Sequence, residues 1–217
     1  ANIFMVNAWI PFPKYFFSYN QPSWSISTEF FFYLAFPLLI YCWEETRFKK
    51  LLASGIIVVL LIVVSSVLNI PQWFKLETDG ITCGALLYIH PISRILEFIF
   101  GMFVAGCWRQ SVDKVQWSNL HGSVYETCVF VLVGISLHLG LTLPVWVAQH
   151  WPNTSLCVWL TGSSSMFSFG LLIYVMAIGR GRITAWLSHP IPVVLGEISF
   201  SLYLLHQIGI RYYSANI

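Results

Sequence analysis

Long apolar stretches with at most one charged residue are the feature that most constrains this sequence. A membrane-spanning helix needs about 20 predominantly apolar residues to cross roughly 30 Å of hydrocarbon. Five stretches reach that length, at 24–43, 51–70, 124–143, 156–178 and 191–210. A sixth, at 95–108, is shorter. Arg94 can extend this span, because its aliphatic stem can lie along the apolar region while its guanidinium reaches water. The stretch 81–89 is too short to cross alone, so we expect a re-entrant or interfacial piece there.

These stretches predict an all-α protein. In lipid, only helices and closed barrels can hydrogen-bond all of their own backbone groups. The sequence lacks the alternation of polar and apolar residues that barrel strands show. We therefore expect a polytopic transmembrane helix bundle with about six spans in this chain, forming a single membrane domain over residues 1–217.

Composition excludes several other classes of protein. Apolar residues make up 57% of the chain and charged residues 9%, whereas soluble domains carry about 25% charge. The net charge of +2 is scattered, so we expect no nucleic-acid partner. The five cysteines form no CxxC pair and the histidines have no metal-ligand spacing, so we predict neither a disulfide framework nor a metal site.

Basic residues orient the predicted bundle, because they are enriched in cytoplasmic loops. Seven follow the first, third and fifth spans, and three lie on the opposite side. The seven are Arg47, Lys49, Lys50, Arg109, Lys114, Arg180 and Arg182; the three are Lys14, Lys75 and Arg94. The first span is therefore predicted to start outside the cytoplasm, and the last to run outwards.

The N-terminus lacks an initiator methionine and has no basic segment before an apolar run. This is not the pattern of a signal peptide. We expect the sequence to be the C-terminal part of a longer membrane protein.

The first polar motif runs from Pro22 to Glu29 as Pro-Ser-Trp-Ser-Ile-Ser-Thr-Glu and leads into three phenylalanines. Proline and serine are common at helix starts, and a carboxylate near that end meets the positive helix dipole. Glu29, however, lies about one turn inside the span, and an intramembrane carboxylate indicates function. Both interpretations of Glu29 remain open on the sequence.

The second motif contains Arg94 and Glu97, which are three residues apart and can pair on one helix face. The pair could serve only to neutralise both charges at the membrane edge. Alternatively, the planar guanidinium could hold an anionic group of a substrate.

The third motif places a polar stripe on the last span. Ser199, Tyr203 and His206 follow i, i+4, i+7 spacing and form a candidate substrate-binding face. Packing between helices is the favoured explanation for Ser199, and His206 could be an ordinary satisfied histidine or an interfacial one. In the predicted topology all three motifs lie towards the outer side, and this convergence favours a functional site.

In series, these stretches resemble the acyltransferase-3 family of membrane sugar O-acyltransferases. The run 22–29 is similar to the family's P-S-W-S-L-S-x-E signature. The run 91–101 resembles N-P-x-x-R-x-x-E-F-x-x-G, with His90 replacing asparagine. The run 196–206 resembles G-x-x-S-Y-S-L-Y-L-x-H, with Phe200 replacing tyrosine. The family's presumed catalytic histidine and its R-x-x-R pair have no counterpart in this chain.

The resemblance implies about ten transmembrane helices in the whole protein. It implies acyl-CoA, usually acetyl-CoA, as the donor substrate, no tightly bound cofactor, and a carbohydrate acceptor at the outer face of the bacterial inner membrane. Its general base would lie upstream of Ala1, so this fragment alone would be inactive. The residues that it implies as supporting catalysis are Trp24, Ser25 and Glu29. Those that it implies along the substrate path are Arg94 and Glu97.

Two other classes fit the same polar residues. A transporter or polysaccharide-export subunit would use intramembrane charges to line a pathway. A purely structural membrane partner would use them to lock helices together.

Overall fold

The computed structural model describes residues 4–18, 20–72, 80–152 and 155–215. These ranges are largely helical and contain no β-strand, which confirms the predicted all-α class. Lys75 lies outside them. The described α-helices are α1 (Pro13–Phe16), α2 (Ser23–Ile40), α3 (Trp43–Val67), α4 (Pro91–Ser111), α5 (Asn119–His150), α6 (Leu156–Ser163), α7 (Met166–Ile178), α8 (Arg182–Leu187) and α9 (Pro190–Ala215).

Six segments of the described chain are long and apolar enough to cross a membrane, as the sequence predicts. They are Ser23–Ile40, Trp43–Val67, Gly84–Ser111, Asn119–His150, Leu156–Ile178 and Pro190–Ser214. Most of their side chains face outwards from the helix bundle. An apolar surface of this extent requires a lipid environment, so the chain is an integral membrane protein.

The prediction of a basic loop after the first span is wrong, because Arg47, Lys49 and Lys50 belong to α3. The turn between α2 and α3 is short, and Cys42 adopts a left-handed conformation with φ 48°. Lys50 Nζ donates hydrogen bonds to the carbonyl oxygens of Leu39 at 2.8 Å and Tyr41 at 2.6 Å. A lysine on the next helix therefore satisfies carbonyl groups that the end of α2 leaves unpaired.

The third span is longer than predicted, because the stretch expected to lie apart from it joins α4. Gly84–Ile89 forms a π-helical segment, and the backbone N–H of His90 donates to Ala85 O at 3.0 Å. Pro91 then opens α4, where its missing N–H costs nothing. His90 Nδ1 accepts a hydrogen bond from the N–H of Ile92 and caps the helix.

The fifth span is broken into two helices. α6 ends at Ser163 and α7 begins at Met166, with two serines between them. The break lies beside α5, where a Cβ on Gly140 would stand 2.7 Å from Ser164 Oγ. Glycine at this position therefore lets α5 approach the break closely.

Contacts between helix ends establish an antiparallel bundle. Gln110 Nε2 donates to Glu44 Oε2 at 3.2 Å, so the end of α4 lies beside the start of α3. Trp108 Nε1 donates to the carbonyl oxygen of Ala177 at 3.0 Å, which places the end of α7 at the same level. We call this side the basic end, because the seven basic residues named for the cytoplasmic loops lie within or just beyond the end turns of helices there. We call the opposite side, where α2, α4 and α6 begin, the motif end.

Two apolar clusters meet at the π-helical segment near the motif end. Leu87 packs with Cys83, Val147, Cys157 and Val158 on one side. On the other side, Ala85 and Ile89 pack with Ala8 and Phe16 of the N-terminal segment. The π-helical segment therefore joins α5 and α6 to the start of α2.

A buried carboxylate holds α8 at the basic end. Glu126 of α5 is 1% exposed. Its oxygens accept hydrogen bonds from Ile183 N at 2.8 Å, Thr184 N at 3.3 Å and Thr184 Oγ1 at 2.5 Å. These N–H groups lie in the first turn of α8, where a carboxylate also meets the positive end of the helix dipole.

The last helix, α9, packs least against the described bundle. It contacts α8, and its carbonyl oxygen at Leu204 accepts a hydrogen bond from Asn20 Nδ2 at 3.0 Å. None of its described side chains is buried. Its apolar surface is therefore largely exposed to lipid or to other protein segments.

Candidate functional site

The first motif is built into the start of α2 by hydroxyl contacts. Ser27 Oγ donates to the carbonyl oxygen of Met5 at 2.6 Å and accepts a hydrogen bond from Ala8 N at 3.2 Å. Thr28 Oγ1 lies 3.2 Å from the carbonyl oxygen of Ile89. Two small hydroxyl residues of the motif therefore fasten α2 to the N-terminal segment and to the π-helical segment.

Trp24 faces the π-helical segment, one turn from Thr28 on the same side of α2. Its ring lies 5.5 Å from the ring of Tyr88, centroid to centroid. The guanidinium carbon of Arg94 in turn stands 5.6 Å from the Tyr88 ring centroid, within cation–π range. Tyr88 therefore connects the first motif to the second.

Arg94 and Glu97 form the ion pair that their spacing predicts, and a third side chain joins them. Arg94 Nη1 stands 2.9 Å from Glu97 Oε1. Ser163, at the end of α6, accepts a hydrogen bond from Arg94 Nη1 at 3.3 Å and donates one to Glu97 Oε1. The three side chains form a closed triangle between α4 and α6, and Ser163 is only 3% exposed.

One edge of the Arg94 guanidinium stays open. Its hydrogen bonds and ion pair within the described residues all use Nη1, whereas an arginine carries five N–H donors in a fixed fork. Arg94 and Glu97 line a cavity of about 250 Å³, together with Phe100, Met166 and Phe169. Within the described residues, Nε and Nη2 of this cavity-lining arginine therefore keep their donors for a ligand.

Gly162 makes room for this arrangement. A Cβ at this position would stand 2.7 Å from Tyr88 Cδ2 and 3.2 Å from Arg94 Nη1. Any larger residue would displace the Tyr88 ring or the guanidinium. The glycine therefore allows α6 to approach Tyr88 and Arg94 at the same time.

The other two predicted residues of the first motif lie apart from Arg94. Ser25 Oγ donates to the carbonyl oxygen of Pro22 at 2.9 Å. Glu29 is exposed, and Tyr33 Oη donates to its Oε1 at 2.5 Å. The carboxylate therefore faces away from the Arg94 cavity, on a side of α2 that the described helices leave open.

The third motif is not brought to the other two within the described residues. Ser199 Oγ donates to its own helix at Gly196 O, and His206 Nδ1 contacts the carbonyl oxygen of Tyr203. All three predicted residues of this motif are exposed. Their role as substrate-binding residues stays a prediction.

Sequence reasoning missed Tyr88, Gly162 and Ser163. Ser163 follows the first motif by more than 130 positions, and no periodicity links it to Arg94. The Gly-Ser-Ser-Ser run from Gly162 is visible in the sequence, but it lacks the second glycine of a nucleophile elbow. Among the described residues, no group of three or more His, Cys, Asp or Glu side chains could hold a metal ion.

Six membrane-length segments of the described chain and an intramembrane cluster of arginine, glutamate and serine define a polytopic membrane protein with a polar site. Comparison with known proteins narrows this class. The sequence pattern of the acyltransferase-3 family, described as an acyltransferase domain, matches residues 1–216, so the chain belongs to that family.

A curated relative agrees with this assignment. The chain is 30% identical over 217 residues to Acyltransferase MdmB from Streptomyces mycarofaciens. The match covers 97% of this chain and 50% of the relative, so the chain spans half the length of that protein. No solved structure matches the chain.

Proposed function

We propose that the whole protein transfers an acyl group, acetyl in the simplest case, from acyl-CoA to a hydroxyl of an envelope or exported carbohydrate. Membership of the acyltransferase-3 family carries the reaction class. The open edge of Arg94 beside a cavity is the observation that supports a site in this chain.

The reaction replaces a thioester with an oxygen ester. A base takes the proton of the acceptor hydroxyl, and the hydroxyl oxygen then bonds to the thioester carbonyl carbon. Negative charge develops on the carbonyl oxygen. The carbon–sulfur bond breaks, and the coenzyme A thiolate leaves and takes up a proton.

Residues of this chain have distinct roles in that proposal. Arg94 uses its open edge to bind a substrate oxygen, and Glu97 holds the guanidinium by pairing with Nη1. Trp24 supports Tyr88 beneath that guanidinium. Glu29, on the open side of α2, orients the base or a water, and the base comes from a part of the whole protein outside this chain.

The setting of the reaction is part of the proposal. The basic end faces the cytoplasm under the positive-inside rule. The motif end, with Arg94, then lies towards the outer face of the bacterial inner membrane. A carbohydrate acceptor would reach the cavity from that side, whereas acyl-CoA would be supplied from the cytoplasm.

The test is transfer of radiolabelled acetyl from acetyl-CoA to carbohydrate by the whole protein in lipid vesicles. We expect Arg94→Ala to lower the rate at least about 100-fold, the scale seen when one oxyanion donor is lost. Arg109→Ala is the matched control, because Arg109 is exposed on the same helix at the basic end. Full turnover by the Arg94 variant would refute the proposed site.

A further inference from the structure

Ser163 is the member of the Arg94 cluster that no sequence motif includes, and hydrogen bonds on two sides restrain its hydroxyl. It is nearly buried at the last position of α6. Its hydroxyl uses both capacities, accepting from Arg94 Nη1 and donating to Glu97 Oε1. A hydroxyl with both a donor and an acceptor partner is restrained in its rotation.

The consequence for Arg94 is geometric. Nη1 stands 2.9 Å from Glu97 Oε1 and 3.3 Å from Ser163 Oγ, so two acceptors on different helices hold the same nitrogen. Because the guanidinium is planar, a second acceptor on Nη1 narrows the directions that Nε and Nη2 can take. With Glu97 alone, the fork could turn about a single contact.

We propose that Ser163 is a positioning residue that aims the Nε–Nη2 edge of Arg94 at the acyl carbonyl oxygen of the donor. This inference rests on the proposed function. Donors aimed in advance at the oxygen on which charge develops lower the barrier without reorganisation during the reaction. A guanidinium that changes direction would no longer lower the barrier in this way, even when the substrate binds normally.

The break between α6 and α7 explains how Ser163 reaches this position. α6 stops at Ser163, so its last turn can face α4 independently of the direction of α7. Gly162 lets this turn contact Tyr88 and Arg94. The break, the glycine and the serine therefore act together on the same guanidinium.

The experiment compares Ser163→Ala with Ser163→Thr in the whole protein, using acetyl-CoA and steady-state kinetics normalised to folded protein. We expect Ser163→Ala to lower kcat about tenfold with little change in the KM for acetyl-CoA. Ser163→Thr keeps the hydroxyl and should retain kcat within about threefold.

Ser168→Ala is the structural control. Ser168 is also nearly buried, and its Oγ stands 2.6 Å from Ser136 Oγ, joining α5 to α7 away from Arg94. Its loss removes a comparable contact between helices and should leave kcat unchanged. If Ser163 merely pins two helices, the Ser163→Ala and Ser168→Ala variants should behave alike, and that result would overturn the inference.

A double-mutant cycle tests whether Ser163 acts through Arg94. In an Arg94→Lys background the fork is gone, so Ser163→Ala should change kcat by less than about twofold. An undiminished tenfold effect in that background would also overturn the inference. This comparison remains informative if threonine does not fit at position 163.

Failure of the proposed function has a different signature. A wild-type protein that transfers no acetyl group would refute the function, and the positioning role, which rests on that function, would fall with it. A wild type that transfers acetyl while Ser163→Ala keeps the wild-type kcat would overturn the positioning role alone. Acetyl-CoA should raise the unfolding temperature of the wild type and of Ser163→Ala equally, because the inferred role acts on kcat and leaves donor binding unchanged; a clearly weaker rise in Ser163→Ala would overturn it.

Discussion

Replacing Glu126 with alanine should destabilise the protein without touching the Arg94 cavity. The carboxylate is buried and accepts hydrogen bonds from Ile183 N, Thr184 N and Thr184 Oγ1. Thr184 Oγ1 has a second neighbour in Met176 Sδ at 3.6 Å. The main loss is therefore at the two backbone N–H groups, which α5 would leave unpaired.

The magnitude follows from these contacts. A buried donor left without an acceptor costs roughly 1–3 kcal/mol, and the lost helix-dipole interaction adds about 0.3–1 kcal/mol. The Thr184 N contact is long at 3.3 Å, so it contributes at the low end. We expect Glu126→Ala to lower the free energy of unfolding by about 2–4 kcal/mol, and Glu126→Gln by roughly half of that because one acceptor oxygen remains.

The assay is reversible unfolding of the whole protein in mixed micelles titrated with sodium dodecyl sulfate, followed by circular dichroism. Thr127→Ala is the control, because Thr127 is the next residue of α5 and is exposed. Among the described residues its side chain hydrogen-bonds only to Ser123 O, within its own helix. It should lie within about 0.5 kcal/mol of wild type. An equally small change for Glu126→Ala would refute the assignment of Glu126 as the anchor of α8.

Two further variants test the motif end. Glu29→Gln should abolish transfer with no loss of folded protein, because Glu29 is exposed and bonds only to Tyr33 among the described residues. Full activity of this variant would refute a role for Glu29 in transfer. Gly162→Ala should push the Tyr88 ring away from Arg94 and lower kcat, since its Cβ would stand 2.7 Å from that ring. Gly134→Ala, whose Cβ meets nothing within 4 Å, should be neutral, and equal kinetics for both glycine variants would contradict the packing argument.

The spans were predictable because hydrophobic length alone decides whether a helix can cross a bilayer. The ends of the spans were less predictable, since they depend on contacts between helices. Arg47, predicted to lie in a loop, is part of α3, and Lys50 of the same helix caps the end of α2. The π-helical segment precedes α4 in the third span because Leu87 and Ile89 of that segment are buried in two separate apolar clusters.

The candidate site was predictable only where its residues are close in sequence. The pairing of Arg94 with Glu97 follows from i, i+3 spacing on one helix. Ser163 contributes from another helix 66 positions beyond Glu97, and no local pattern indicates such a contact. The same holds for Glu126, whose partners in α8 lie 57 and 58 positions away.

The prediction that the three motifs lie together depends on the direction of their helices and on which helices are neighbours. Span direction brings the starts of α2 and α4 together, and Tyr88 connects them. The last helix has the direction that the prediction requires, but direction does not determine which helices are neighbours. In the described residues its contact with the first motif region is the hydrogen bond from Asn20 to Leu204.

We propose that the whole protein moves an acyl group from a thioester to a carbohydrate hydroxyl. The most direct measurement is the ratio of coenzyme A released to ester formed, with the whole protein in vesicles, acetyl-CoA on the side of the basic end and carbohydrate on the other. The proposed function predicts one thiol released for each ester, and loss of both in Arg94→Ala. Carbohydrate that accumulates across the vesicle membrane without any release of coenzyme A would contradict it and favour a transporter.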